Sequence, residues 1–226
     1  MIQTLHTSIA NDLLHAGNPV SEHRTFETSK GTLFLQQFSP PALVERLRAD
    51  DGLRAFAHHP EGEYRLLLNL ARSPECALAL AYTESGEIVG QVTLAPADAW
   101  WQGLASTYEI AVEVSLPWRR LGIARQLLTL ALELRTLERM ILLAMGLCWH
   151  WDTAGLDLGP LRYRRLVAQL FALHNFVEYR TAEPNIRDDP ANILLVRIGN
   201  QVDQQTSSQF LSCLLQSKAL PEKRSS

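Results

Sequence analysis

The chain has 226 residues, of which 46% are hydrophobic and 20% charged, and this length and composition suit one soluble domain with a sizeable core. Its formal net charge of −3 argues against nucleic acid or an anionic membrane as the main partner. Cys76, Cys148 and Cys213 are odd in number and widely spaced, which predicts reduced thiols in a cytoplasmic protein. The sequence shows neither a signal-peptide pattern nor an apolar run long enough to span a bilayer, so we expect no membrane partner.

Composition and periodicity divide the chain into three parts. Residues 1–30 are polar and irregular, and we interpret them as an N-terminal arm with one helical turn near 9–14. Residues 31–200 are expected to form the folded domain, and residues 201–226 a C-terminal helix and a disordered tail.

Within the domain, strands and helices alternate in the order β-α-α-β-β-β-α-β-α-β-β. The predicted strands, two of them joined by a glycine turn, are 31–38, 75–83, 88–95, 107–115, 140–147, 176–182 and 193–198. The predicted helices begin at Pro40-Pro41, cover 63–71, run from the turn at 119–124 to about 139, and cover 161–174.

The turn Arg119-x-x-Gly122-x-Ala124 follows an apolar strand and precedes a leucine-rich helix. Such a junction directs successive backbone N–H groups and the positive end of a helix dipole at one point, which suits a pyrophosphate. Gly122 allows close approach of the phosphate, and Arg119, Arg120 and Arg125 add mobile positive charge. The turn therefore predicts an anion site; the alternative is a basic helix N-terminus without a ligand.

Two other phosphate-binding motifs do not fit this turn. A Walker loop requires Lys-Ser/Thr after its glycines, where this chain has Ile123-Ala124. A dinucleotide fingerprint requires a glycine spacing that Arg120, Gly122 and Ala124 do not supply.

The turn resembles the acetyl-CoA loop of the GCN5-related N-acetyltransferases, and the order of elements is that of their fold. Over roughly 31–211 the chain looks like the acetoin-utilisation protein acetyltransferases, a bacterial branch of that superfamily. The strings that carry this second resemblance are Cys148-Trp149-His150-Trp151-Asp152, Glu183-Pro184, Pro190-Ala191-Asn192 and Arg197-Ile198-Gly199. The resemblance implies an α/β (α+β) fold whose mixed central sheet is flanked by helices and whose splayed strands hold acetyl-CoA.

The resemblance also implies which residues hold the cosubstrate. The main chain of the strand before the turn is expected to bind the pantetheine amides, and the turn itself the pyrophosphate. Together these residues are Val112, Glu113, Val114, Arg119, Arg120, Leu121, Gly122, Ile123, Ala124 and Arg125.

Acetyl transfer to an amine requires removal of a proton, because a lysine side chain near its ordinary pKa is over about 99.9% charged at neutral pH. Glu109 and Glu113 share one face of the strand before the turn, so either carboxylate is a candidate general base. The sequence favours Glu113, with Glu109 close behind. The alternative for each is a solvated or salt-bridged glutamate.

One position departs from the resembled pattern. Many acetyltransferases carry a tyrosine in the last helix that protonates the departing thiolate, and the matching residue here is Phe171. His174, Tyr163 and Tyr179 are the other candidate acids, or the thiolate leaves without a strong acid.

Cys148, His150 and Asp152 alternate and would share a face in an extended segment. A metal site is the less favoured interpretation, because this triplet matches no recognised closed site, and we expect no metal. We expect instead a hydrogen-bonded pair of His150 and Asp152 beside the acyl site, with Trp149 and Trp151 as walls. A buried polar pair without a catalytic part is the alternative.

The resemblance implies a cytoplasmic enzyme that acetylates a lysine of acetyl-CoA synthetase and lowers that enzyme's activity. Two other functions stay open: a small-molecule amine acetyltransferase, and a non-catalytic regulator that binds acetyl-CoA. A homodimer is one assembly that the sequence leaves open.

Overall fold

The structure, a computed structural model, describes residues 23–57, 59–101 and 103–216. The helical turn expected near 9–14 and the tail expected after 218 lie outside these residues. Within the described ranges no helix is both long and apolar enough to cross a membrane.

Within the described residues, nine strands form one sheet. They are β1 His23–Thr28, β2 Gly31–Gln36, β3 Arg48–Ala49, β4 Ala77–Thr83, β5 Glu87–Pro96, β6 Thr107–Val114, β7 Ile141–Gly146, β8 Val177–Tyr179 and β9 Ile193–Ile198. Their spatial order is β1-β2-β4-β5-β6-β7-β9-β8, with β3 beside β5. Neighbours are antiparallel except for β6–β7 and β3–β5, so the sheet is mixed, as expected.

The described chain contains seven α-helices, six between strands and one after the last strand. They are α1 Pro41–Val44, α2 Pro60–Arg72, α3 Ile123–Leu132, α4 Thr153–Leu156, α5 Pro160–Ala172, α6 Pro184–Arg187 and α7 Gln204–Leu214. The leucine-rich helix ends at Leu132, earlier than predicted, and a 3-10 turn at Arg135–Arg139 follows. Leu134 is extended at this break, and both it and Leu137 are buried in the core.

The first strand corrects the interpretation of residues 23–28 as part of a loose arm. β1 pairs with β2 along its whole length, and Arg24 forms an ion pair with Glu133 beside α3 at 2.5 Å. This edge strand was not predicted because its sequence is polar and exposed. An edge strand pairs on one side only and carries no strong apolar pattern.

Apolar side chains fill both faces of the sheet. One core packs α3 against the central strands, and it includes Leu127, Leu142 and Phe171. The second lies beneath the predicted C-terminal helix, where Phe210 of α7 contacts Trp101 at a ring-centroid distance of 5.8 Å. These two layers hold β6 and β7 firmly at the centre of the sheet.

Candidate active site

A cleft opens where the two central parallel strands separate. The pairing of β6 with β7 runs only from Thr107–Ile141 to Glu109–Leu143, although β6 continues to Val114 beside β5. The resulting cleft has a volume of about 540 Å³. Its walls come from β6, the turn before α3, the end of β7, α5 and the loop before α2.

The register of β6 determines which backbone groups face this cleft. At the two ends of the β5–β6 ladder, Ser115 donates to the Val89 carbonyl and Ala97 to the Thr107 carbonyl. Because hydrogen bonds alternate along an antiparallel pair, odd-numbered residues of β6 bond to β5 and even-numbered ones face the opposite edge. Val112 therefore presents its N–H and C=O to the cleft. The main chain of Glu113 was also expected to bind the pantetheine, but its N–H and C=O are directed at β5.

The turn before α3 forms a concave surface of backbone donors. Arg120 and Gly122 have positive φ values of 63° and 81°. Among the described residues, no hydrogen bond from the main-chain N–H groups of 120–125 is seen, and no side chain caps the helix. Unpaired donors at a helix N-terminus form an anion site. Of the predicted turn residues, Leu121 packs against the core, and the others line the cleft.

Arg119 is held in place by the protein itself. Its Nε donates to the Val114 carbonyl at 3.1 Å, and its Nη1 pairs with Asp152 at 2.8 Å. Both contacts fix the bend between β6 and the turn, so the guanidinium acts first as a brace for the anion site. Arg120 and Arg125 have no ion pair among the described residues and remain available to a phosphate.

Glu109 lies at the vertex where β6 and β7 part, and its side chain lines the cleft. No hydrogen bond to its carboxylate is seen among the described residues. Burial and then the nearby Asp98 carboxylate raise the pKa of Glu109 to about 7. A group that titrates near neutral pH exchanges protons readily, which is what a general base requires.

Glu113 also lines the cleft, but its carboxylate is occupied. Oε1 accepts from the N–H groups of Arg54 and Ala55 at 2.7 and 2.8 Å, and Oε2 accepts from Gln91 Nε2 at 2.9 Å. Burial and the Glu63 carboxylate raise the pKa of Glu113, while these three hydrogen bonds lower it. Because the carboxylate already satisfies three donors, the geometry favours Glu109 over Glu113 as the base.

The expected pair of His150 and Asp152 is not formed. Residues Cys148–His150 form a 3-10 turn rather than an extended segment, so the alternating side chains diverge. Asp152 binds Arg119 and accepts from the Gly155 N–H at 2.9 Å, whereas His150 Nδ1 lies 2.7 Å from the Ala55 carbonyl oxygen. His150 lines the cleft and Asp152 does not.

The two tryptophans of this segment differ in role. Trp151 lines the cleft and stacks on Tyr163, with ring centroids 5.1 Å apart. Trp149 is 53% exposed and lies outside the cleft wall. In the described ranges, no group of three or more metal-ligating side chains is positioned to hold an ion.

Phe171 occupies the cleft wall at the position where the resemblance placed a phenol. It is buried and packs edge-on against Phe176 at 5.0 Å. Of the other candidate acids, Tyr163 lines the cleft, whereas His174 and Tyr179 do not. Burial raises the pKa of the Tyr163 phenol.

Replacing Phe171 with leucine should leave kcat within about threefold of the wild-type value, because a phenyl ring has no proton to give. The variant should lose about 1–2 kcal/mol of stability through the missing ring contact. Steady-state kinetics and thermal unfolding check both expectations, and a large fall in kcat with normal acetyl-CoA binding would contradict the first.

No sequence pattern predicted one wall of the cleft. Ala55 and Phe56 line it, and their loop is held by Glu113 and by Glu63 of α2. Glu63 looks in sequence like an ordinary first-turn acid of a helix. Its contacts are with Phe56 and Ala57 in the loop just before its own helix, and a first-turn acid does not reveal them in sequence.

Comparisons with known proteins agree with this geometry. Residues 42–143 match the model of the acetyltransferase (GNAT) family. These residues form a GNAT acetyltransferase domain. The chain is therefore an N-acetyltransferase that uses acetyl-CoA as its acetyl donor.

Individual relatives cover most of the chain. The acetoin utilization protein AcuA of Bacillus subtilis is 28% identical over 201 residues, which span 84% of this chain and 95% of the relative. The AcuA protein of Bacillus licheniformis is 26% identical over the same shares. A crystal structure of an acetoin utilization protein from Exiguobacterium sibiricum superposes with a TM-score of 0.81 at 28% identity, covering 86% of this chain and 93% of that one.

The GNAT site accounts for the unpaired groups described above. The N–H groups of 120–125 can receive the pyrophosphate of acetyl-CoA, and the free edge of β6 can bind the pantetheine amides. Glu109 lines the same cleft and would supply the carboxylate beside the thioester of a bound acetyl-CoA. These residues fit the family's cosubstrate in chemistry and in order along the cleft.

Proposed function

We propose that this protein transfers acetyl from acetyl-CoA to a lysine of acetyl-CoA synthetase, and so lowers that enzyme's activity in acetate and acetoin metabolism. The observation that carries the proposal is one cleft with an anion site at one end and Glu109 at the other. The similarity to acetoin utilization proteins supports the metabolic setting. The free cysteines of the described chain support a cytoplasmic location.

The charges of the cleft are separated in the way the reaction requires. The arginines of the turn lie where the acetyl donor's pyrophosphate is expected, whereas Glu109 and Glu113 lie along β6 and Glu63 lies behind the loop at 54–57. A lysine ammonium ion is attracted to the acidic side, where Glu109 removes its proton. The free amine then attacks the thioester carbonyl, and coenzyme A leaves through its sulfur.

The rim of the cleft supports a protein rather than a small amine as the acceptor. Leu166 lines the cleft and is 43% exposed, and Leu161 of the same helix and Leu173 just after it are more exposed still. Trp149 is exposed next to His150. Apolar side chains around an open mouth suit a protein surface, whereas a small polar amine would need an enclosed acidic pocket.

The chemistry of the adenylation centre of the synthetase explains why acetylation would lower that enzyme's activity. A lysine cation there orients and stabilises negative charge, and acetylation removes both its charge and its donor strength. We expect purified synthetase to lose most of its activity after incubation with this protein and acetyl-CoA, and mass spectrometry to find one acetylated lysine on an exposed, mobile loop.

A synthetase whose target lysine is replaced by arginine provides the matched control and should stay unmodified at that site. Free lysine, polyamines and aminoglycosides should be poor acceptors. Efficient acetylation of a small amine with the synthetase untouched would favour the small-molecule enzyme. Binding of acetyl-CoA without turnover on any acceptor would favour a regulator.

A further inference from the structure

Two buried carboxylates hold the loop that forms the wall opposite α5. Glu113 accepts from the N–H groups of residues 54 and 55, and Glu63 Oε1 accepts from those of Phe56 and Ala57, both at 2.7 Å. Glu63 is 0% exposed, and its Oε2 has no hydrogen-bond partner among the described residues. Two acids thus fix four consecutive backbone donors, and these hydrogen bonds offset part of the cost of burying the two carboxylates.

The position of this loop determines which ring nitrogen of His150 carries the proton. A carbonyl oxygen only accepts hydrogen bonds, so the 2.7 Å contact with Ala55 requires the proton of the neutral ring to be on Nδ1. Nε2 then carries the lone pair. It makes no hydrogen bond to the described residues and is not among their buried unpartnered atoms, and the His150 side chain lines the cleft. Phe56 packs against the ring at 5.8 Å and restricts its rotation.

The reaction leaves one proton transfer without a donor. After attack, the nitrogen of the intermediate holds a proton that must depart, and the sulfur of coenzyme A gains a negative charge. Phe171 cannot supply a proton to that sulfur. Tyr163 is a phenol, which is a weaker acid than a thiol, and burial weakens it further by raising its pKa. An imidazolium ion is a stronger acid than a thiol, so its transfer to a thiolate is favourable.

We propose that His150 Nε2 accepts the proton of the attacking nitrogen and delivers it to the sulfur of coenzyme A, and that Glu63 and Glu113 position His150 through the loop at 54–57. The C–N bond forms and the C–S bond breaks, while one proton moves from nitrogen through Nε2 to sulfur. His150 ends each cycle neutral. This inference rests on the proposed function, in which Glu109 removes the first proton from the ammonium ion.

The direct test removes the imidazole from the full-length protein. His150→Ala should lower kcat for synthetase acetylation by about 10²–10³, within the range for a lost acid–base group, and leave the acetyl-CoA dissociation constant unchanged by calorimetry. Added imidazole should raise the rate of the variant at least tenfold, which a purely structural role of His150 would not produce. His59→Asn is the matched histidine control. His59 caps α2 by accepting from the Gly62 N–H outside the cleft, asparagine is an equally good cap, and activity should stay normal.

The positioning role has a separate test. Glu63→Gln retains an oxygen that can accept from Phe56 and Ala57 but loses the charge, so the fold should survive with kcat reduced about tenfold. In the His150→Ala background the same substitution should cost no further activity, because its effect acts through His150. An additive loss in the double variant would overturn the positioning role.

The outcomes separate this inference from the function on which it rests. If the wild-type protein acetylates the synthetase and folded His150→Ala does so equally fast, or is slow and unresponsive to imidazole, the proton transfer through His150 is wrong and the proposed function stands. If the wild-type protein transfers acetyl to no lysine at all, the proposed function fails and this inference fails with it.

Discussion

Replacing Gly122 with valine is expected to abolish measurable acetyl-CoA binding while the protein remains folded. An added Cβ would meet only Phe26, at an ordinary contact distance of 3.7 Å, so the fold has room for it. A bound ligand leaves no such room, because its phosphate must approach the N–H groups of 120–125 at the place where the branched side chain would lie. Loss of those charge-assisted hydrogen bonds should weaken binding about a hundredfold or more, or roughly 3 kcal/mol.

The strain of the substitution must be separated from the loss of the site. Gly122 has a φ of +81°, where a valine costs about 1–3 kcal/mol of stability. Gly86, in the hairpin turn between β4 and β5, has a φ of +82° and equally distant neighbours at 3.7 Å, and it lies outside the cleft. Gly86→Val should therefore lose similar stability but bind acetyl-CoA normally. Calorimetry showing unchanged affinity in folded Gly122→Val would remove the phosphate assignment.

Replacing Glu109 with glutamine should lower kcat at pH 7 by about 10²–10⁴, the range for loss of a general base. In the wild-type protein kcat/KM should rise through pH 7, because the pKa of Glu109 is about 7 and only its ionised form accepts a proton. The variant should lack this inflection and recover activity toward alkaline pH, where more of the acceptor amine is neutral. A pH profile of both proteins measures these differences.

Glu113→Gln is the matched control on the same strand face. Its amide can still accept from the Arg54 and Ala55 N–H groups, so its loss of activity should be clearly smaller. This ranking reverses the one favoured by sequence alone. A larger loss for Glu113→Gln than for Glu109→Gln would return the role of base to Glu113.

Glu109→Gln should also change the stability of the protein in a pH-dependent way. Glu109 has a folded-state pKa of about 7 against an ordinary 4.5, so its contribution is most favourable below pH 4.5 and is lost as the pH rises through 7. Glutamine stays neutral throughout. Glu109→Gln should therefore be more stable than the wild type at pH 8 by on the order of 1–3 kcal/mol, and no more stable at pH 4. Thermal unfolding at the two pH values checks the sign.

The sequence by itself determined the order of the main elements and the position of the anion turn. Buried strands such as β7 and β9 were predicted closely, because a central strand needs a continuous apolar run. The turn at 119–124 was predicted because its glycine and its place between strand and helix are local features. β1 and β3 were missed, since they bury little and carry no strong pattern.

Only the tertiary structure decided the roles of the polar side chains. Glu109 and Glu113 are equivalent in sequence, yet one lies unpaired at the vertex of the cleft and the other holds a loop some sixty residues away in the chain. His150 was paired with Asp152 on the assumption of an extended segment, and the 3-10 turn directs it to Ala55 instead. The physical reason is that burial and hydrogen bonding set the chemistry of a carboxylate or an imidazole, and both depend on residues distant in sequence.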